Sequence, residues 1–429
     1  MRRAALLTAF GAVLLAGVSC APQSTRPLGP RAPDEVRALW VVRYTLADPD
    51  SIRAMVRRAD EAGFNTLIVQ VRGRGDAFYS GGWEPRADTL AARGARFDPL
   101  ALVIEEAHRR GIAVHAWVNT YLVANMDRLP EAPDHLVYTH PEWLAVPKPL
   151  ARRLHGMDPR DPRYLEALVE YARTNRDRFE GLYVRPSHPE VKEHIYSIWL
   201  DLLERYDVDG IHYDYVRHAA PDYDYSRTAL ERFRRWLEPR LDPETASRFA
   251  RLAAEDPLVH ADSFPEAWDR FRREQVTDLV ERIYHGVKKR RPGALVSAAV
   301  FANAEDAYRN RYQEWREWLR RGIIDVACPM AYTRDTDTFT DQIRTAVETA
   351  GGHRVWAGIG AYRNPVDGTV EKIEAARALG AAGIVLFSYD SMVRASDVNP
   401  AGDYLLQVRD RAFSPQVATT GANDGPGPF

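Results

Sequence analysis

The stretch Asp98-Pro-Leu-Ala-Leu-Val-Ile-Glu-Glu-Ala-His-Arg-Arg-Gly-Ile-Ala-Val-His-Ala-Trp-Val-Asn119 holds one full turn of a repeating pattern. Asp98 before Pro99 is a helix start, because an aspartate at the cap accepts from free first-turn amides and proline suits the first helical position. Gly111 closes that amphipathic helix, and a nearly continuous apolar run, Ala113–Asn119, follows as a strand. The pattern recurs along the chain. Ile52, Met55, Val56 and Ala59 fall at helical spacing after a cap predicted at Ser51, and Gly63 ends that helix. Gly322, Gly352 and Gly383 stand in comparable places before later strands.

The runs that read as strands are Val36–Tyr44, Thr66–Arg72, Ala113–Asn119, Gly210–Val216, Leu295–Asn303, Ile324–Tyr332, Val355–Tyr362 and Ile384–Asp390. Runs apolar on both faces and separated by helices indicate a parallel sheet covered on both sides. About eight such units, with no Gly-rich phosphate loop after the first strand, predict an α/β fold of the (β/α)8 TIM-barrel type, with a doubly wound sheet as the alternative. The connections after strands three, four and five are long and leave the C-terminal ends of their strands, the active face of such a barrel. Tyr121, Trp143, Tyr223, Tyr225 and Tyr308 on these loops are expected to wall a groove suited to a polymeric carbohydrate, whose C–H faces stack on rings.

The two ends of the chain read differently. Arg2 and Arg3 precede an uncharged apolar run, Ala4–Val18, too short to span a bilayer and typical of a secretory signal. It ends in Leu15-Ala-Gly-Val-Ser-Cys20, which resembles a bacterial lipoprotein signal, so lipidation of Cys20 and an envelope location, on the outer membrane or periplasmic face, are expected. Residues 21–34 carry Pro22, Pro27, Pro30 and Pro33 and read as a tether; residues 414–429 read as a disordered tail, leaving the barrel over 35–413. The second cysteine, Cys328, lies in an apolar run and is expected in the core. With 58 basic against 60 acidic residues, no global field favours nucleic acid as a partner.

Strand parity sharpens the site. Residues two apart share a face. On strand four Ile211 suits the helix layer, which turns His212 and Asp214 inward; on strand two Gln70 and Arg72 share a face, and on strand three His115, Trp117 and Asn119 do. Strand six offers Met330 and Tyr332, and strand eight Leu386, Ser388 and Asp390. An interior carrying so many polar groups needs either partners or a water-lined site.

In order, the segments Arg37-Ala-Leu-Trp40, Gly63-Phe-Asn-Thr-Leu-Ile-Val-Gln-Val-Arg72, Arg74-Gly-Asp76-Ala, Phe97-Asp-Pro-Leu100 and Gly111–Asn119 form a specific series. It continues through His140-Pro-Glu-Trp143, His188-Pro-Glu-Val191, Tyr206-Asp-Val-Asp-Gly-Ile-His-Tyr-Asp-Tyr-Val-Arg217, Pro329-Met-Ala-Tyr332 and Gly383-Ile-Val-Leu-Phe-Ser-Tyr389. From Glu35 to Met392 the chain resembles the bacterial glycosyl hydrolase-like 10 family. The resemblance implies a carbohydrate-active hydrolase of the cell envelope, with peptidoglycan glycan as the first substrate to consider. Many relatives carry a second acid or a proline where this chain reads Asp214-Tyr-Val-Arg217-His-Ala.

Glycoside hydrolysis usually employs two carboxyl groups and needs no cofactor. Asp214 is the expected nucleophile or electrostatic stabiliser, kept ionised by Arg72 and His212, and Glu305 the expected proton donor, with Asp390 and Asp76 in reserve. Asn119, Tyr332 and Tyr389 are expected to bond sugar hydroxyls, with Arg217 and His115 also at the site. Two other classes stay open: a metal-dependent deacetylase or amidohydrolase built on His115, His212 and Asp214, and a glycan-binding barrel without catalysis. No His-x-His or His-Glu-x-x-His spacing supports the metal reading.

Overall fold

The computed structural model describes residues 35–94, 96–350 and 354–413. The predicted signal, Cys20, the tether, the tail and Gly352 lie outside the described residues. Eight parallel strands close into a barrel: β1 Val36–Val41, β2 Thr66–Arg72, β3 Ala113–Asn119, β4 Gly210–Asp214, β5 Leu295–Val300, β6 Val326–Ala331, β7 Trp356–Gly360 and β8 Gly383–Phe387. Each pairs with its neighbour in sequence, and β8 returns to β1 in the register Val36 to Gly383. The doubly wound alternative is thereby replaced by the closed barrel. Six of the eight predicted strands extended further than the pairing does at their C-terminal ends, because those residues leave the ladder for the upper loops; after β1, for example, the chain turns into a 3-10 helix at Arg43–Ala47.

The local signals explain most of the helix ends. Asp98 caps Pro99–His108 by accepting from the Ala101 amide at 3.1 Å. For Pro49–Glu61 the cap is Asp48, not Ser51: Ser51 is three residues inside, and its amide donates to the Asp48 carboxylate at 2.9 Å. Gly63, Gly111 and Gly322 adopt φ near +70° (74, 70 and 67), the left-handed conformation that ends a helix without a Cβ clash. Before β8 that task falls to Gly380 (φ 81). Gly383 has a different reason to be glycine, since a Cβ there would lie 2.6 Å from the Val36 carbonyl oxygen across the β1–β8 seam.

Alternation sends Leu39, Val69, Val114, Val118, Ile211 and Ile384 outward under the helices and Trp40, Ile68, Trp117, Cys328, Trp356 and Val385 into the lumen. The predicted parity holds on β2, β3, β4 and β6. On β8 it is reversed: Leu386 packs against the helices, while Val385 and Phe387 face the lumen. Both parities there are apolar, so the pattern alone could not separate them. The longest connections follow β3 and β4; the one after β2, residues 73–98, is also long, whereas after β5 a short helix, Ala304–Asn310, starts almost at once.

The polar lumen residues are mostly tied to one another. His212 accepts from the Trp40 indole at 3.0 Å and its other ring nitrogen meets the Ser297 hydroxyl at 2.9 Å, while Ser297 donates to the Ile211 carbonyl. This arrangement fits the neutral tautomer with the proton on Nδ1. His115 lies lower, its ring over Gly210, where a Cβ would come within 2.7 Å, and 5.5 Å from the Trp356 ring. Burial pushes the His115 ring down to about 4, His212 well below the ordinary histidine value and His218 down to about 3.

Two outcomes follow for stability. The unfolded chain takes up protons on these histidines near pH ~6.5 whereas the folded state resists. Their contribution is therefore complete above that value and is lost as pH falls. Urea unfolding is expected to weaken between pH ~6.5 and ~4, by up to about 1.4 kcal/mol per pH unit for each histidine; a flat profile would contradict the neutral assignment. Gly383→Ala should cost about 1–3 kcal/mol by the same measurement, since backbone rather than a flexible side chain stands in the way.

Candidate active site

Asp214 ends β4 with its side chain facing inward, and the carboxyl is about one-tenth exposed. One oxygen accepts from the Tyr215 amide at 2.6 Å and from the Arg217 guanidinium at 3.2 Å. The Tyr215 backbone is held at φ 49, a left-handed conformation that an aromatic residue rarely adopts. Such outliers persist where surrounding structure over-determines them, and they concentrate at functional sites. Arg217 is itself buried, stacked over the Tyr215 ring at 4.1 Å and near the Phe301 ring at 5.0 Å. Burial raises the Asp214 carboxyl above the ordinary aspartate value, opposed by the Arg217 charge and by the Tyr215 amide. The balance leaves Asp214 readier to hold a proton than a surface aspartate.

Tyr332 completes this group. Half-buried after β6, it stacks on Phe387 (centroids 5.3 Å apart, planes 22° apart), and its hydroxyl is held above the ordinary tyrosine value, first by burial and next by the Asp214 charge. Tyr362, after β7, meets both rings edge-on at 6.1 Å and is 44% exposed. The rings thus climb from Trp40 and Trp117 through Phe387 and Tyr332 to an open face at Tyr362.

Of the residues predicted from sequence, Asp214, Arg217 and Tyr332 meet here. The others are placed differently. Arg72 does not serve Asp214: it forms a buried two-point pair with Glu84, both contacts at 2.6 Å, and donates to the carbonyls of Asn119 and Thr120. His212 is neutral in the Trp40–Ser297 network and supplies no charge. Asn119 accepts from Trp117 and Gln70 and donates to the Gly73 carbonyl, so it braces the loop after β2. Asp76 closes a turn by accepting the Gly73 and Arg74 amides.

Two residues after β8 are braces as well. Asp390 accepts from the Val42 amide at 2.7 Å and the Thr45 hydroxyl at 2.6 Å, joining the tops of β8 and β1. The Tyr389 hydroxyl turns to Arg58 on the outer helix, which removes it from the lumen. Glu305 departs furthest from expectation. It lies on the exposed first turn of Ala304–Asn310, paired with Arg316 at 2.6 Å and Arg309 at 3.3 Å. Hydrogen bonds from those arginines, Arg316 first, lower its carboxyl below the usual value, the opposite of what a proton donor requires.

The metal reading needed His115, His212 and Asp214 to converge. They do not: one has its ring against Gly210, one sits between Trp40 and Ser297, and one ends β4 with Arg217. Among the described residues no three His, Cys, Asp or Glu side chains are grouped to hold an ion.

The aromatic prediction also changes. Tyr121, Trp143, Tyr223 and Tyr225 are buried; only Tyr308 of that set is exposed. The exposed aromatics among the described residues are Tyr44, Trp83, Tyr138, Tyr308 and Tyr362. All five lie on connections leaving the C-terminal ends of strands. Glu180, whose carboxylate accepts from the Tyr183 hydroxyl at 2.8 Å, lies inside the long connection after β3, where neither parity nor periodicity marks a residue.

Comparisons with known proteins bear on the fold and the family. The sequence is 26% identical over 379 residues to glycosyl hydrolase DigH of Escherichia coli strain K12, covering 77% of this chain and 75% of that protein. It is 25% identical over 333 residues to glycosyl hydrolase YngK of Bacillus subtilis strain 168, covering 70% and 54%. The structure superposes on the PgaB (BpsB) glycoside hydrolase domain of Bordetella bronchiseptica with a TM-score of 0.61 at 16% identity, covering 89% of this chain and 100% of that one. A catalytic mutant of Gan42B, a GH42 β-galactosidase from G. stearothermophilus, gives 0.58 at 16% identity, covering 89% and 56%. At such identities these two likenesses speak for the fold. The profile of the glycosyl hydrolase-like 10 family matches residues 35–355, three-quarters of the sequence, and the chain belongs to that family.

Proposed function

We propose that the protein is a glycoside hydrolase of the bacterial cell envelope, with peptidoglycan glycan strands as its favoured substrate. The observation that carries this reading is Asp214: a buried carboxyl at the end of a barrel strand, raised above the ordinary aspartate value, beside Tyr332 and the exposed ring of Tyr362. A buried carboxyl whose proton affinity is raised is suited to deliver a proton to a glycosidic oxygen. The carboxylate left behind meets two donors already in place, the Tyr215 amide and Arg217. Proton donor therefore replaces nucleophile as the role of Asp214, because its neighbours do not outweigh its burial.

The exposed ring of Tyr362, packed edge-on against Tyr332, and exposed rings on four other upper connections support a polymeric substrate over a small sugar. Each ring offers an apolar surface to the C–H face of a pyranose, and rings spread over several loops favour a chain that crosses the mouth. Export and lipidation at Cys20, read from Arg2, Arg3 and the apolar run to Val18, favour an envelope glycan as the polymer within reach.

The test is incubation of the protein with peptide-stripped peptidoglycan and a panel of neutral polysaccharides. Release of reducing ends is expected from the former, and Asp214→Asn should lower kcat about 10²–10⁴-fold, the usual worth of general acid catalysis. Equal cleavage by the variant would remove Asp214 from the chemistry, and binding without cleavage by the parent would favour a scaffold. Tyr362→Ala should raise KM on the polymer about three- to tenfold, or about 0.7–1.4 kcal/mol, with little change in kcat.

A further inference from the structure

We propose that Glu180 is the second carboxyl of the reaction, the general base that activates the attacking water. The assignment rests on the glycosidase reading above and supplies the partner that Glu305 does not.

The placement comes from three laced segments. Leu182–Tyr183 pairs antiparallel with Leu122–Ala124, the Val184 amide donates to the Tyr121 carbonyl at 2.8 Å, and the Thr120 and Tyr121 amides donate to the carbonyls of Asp214 and Tyr215. Residues 180–184 are thereby fastened beside the end of β4. Gly181 makes the approach close: a Cβ there would fall 2.0 Å from the Ala124 carbonyl oxygen. The Arg74 guanidinium holds the Glu180 carbonyl at 2.9 Å. At the side chain, the Tyr183 hydroxyl donates to the Glu180 carboxylate at 2.8 Å, and the Tyr183 ring lies 6.1 Å from that of Tyr215.

Electrostatics agree with the geometry. The Glu180 charge acts on Asp214, Tyr215, Arg217 and Tyr183, and it adds to the upward push on Asp214. The other acids considered for the site are engaged elsewhere: Asp76 in its turn, Glu84 with Arg72, Asp390 with Val42 and Thr45, Glu305 with two arginines. Glu180 is exposed to solvent, whereas Asp214 is buried.

In the step itself, Asp214 gives its proton to the glycosidic oxygen as that oxygen's bond to the anomeric carbon breaks. Glu180 takes a proton from a water whose oxygen bonds the anomeric carbon on the opposite face. One water is consumed, two shorter glycans leave, and the proton on Glu180 returns to Asp214 through solvent. The product has inverted anomeric configuration.

The experiment compares the full-length parent, Glu180→Gln, Asp214→Asn and Glu305→Gln on peptide-stripped peptidoglycan, with and without azide. Glu180→Gln is expected to lower kcat about 10²–10⁴-fold. Azide, a nucleophile that needs no base, should restore part of the rate and appear in a glycosyl azide of inverted configuration, which loss of a merely structural contact would not produce. Glu305→Gln should match the parent. If Glu180→Gln cleaves within twofold of the parent while Asp214→Asn does not, Glu180 is excluded and the glycosidase reading stands. Loss without azide rescue, or a parent product of retained configuration, also overturns the assignment. A parent that cleaves nothing overturns the reading beneath it and this assignment together.

Discussion

Closure of the barrel is the constraint on which the site depends. Once β8 pairs with β1 no strand edge remains, and every second residue of eight strands is committed to a lumen largely filled by side chains. Polar groups sent there must find partners among themselves, since an unpaired buried donor or acceptor is costly. Trp40, His212 and Ser297 form one such set, and Arg43, Gln70, Asn119 and Trp117 another. Asp214, at the last residue of β4, stands outside both sets.

The mouth works by contrast between neighbours. Asp214 is buried, which raises its carboxyl above the ordinary aspartate value; Arg217, stacked on Tyr215, donates to that carboxyl and opposes the shift. Backbone geometry sets this spacing. Tyr215 turns left-handed directly after the strand, which brings its amide onto the Asp214 carboxylate and lays its ring beneath Arg217. The Tyr215 amide and Arg217 between them hold the Asp214 side chain in one orientation.

The aromatic rings divide into two populations by depth. Trp40, Trp117 and Phe387 brace the lumen, and Tyr225, Phe233, Trp268 and Phe271 form a separate core under the long connection after β4. Tyr44, Trp83, Tyr138, Tyr308 and Tyr362, each on a connection that leaves the C-terminal end of a strand, remain open to water.

Taken alone, the sequence determined the barrel, the inward turn of Asp214 and the buried place of Cys328. These follow from local rules: a cap such as Asp98, a left-handed glycine such as Gly111, and alternation along a strand with one parity clearly outward. Tertiary structure alone decided which polar residues were braces. Arg72, His212 and Asn119 have inward parity as clear as that of Asp214, yet Glu84, Trp40 and Gly73, distant in sequence, occupy them. Parity also failed on β8, where Leu386 and Phe387 are equally apolar. Glu305 and Glu180 were indistinguishable as loop acids, because a loop has no period from which a side chain's direction can be read. Only the folded chain, by lacing residues 180–184 to the end of β4 and Glu305 to two surface arginines, separated one from the other.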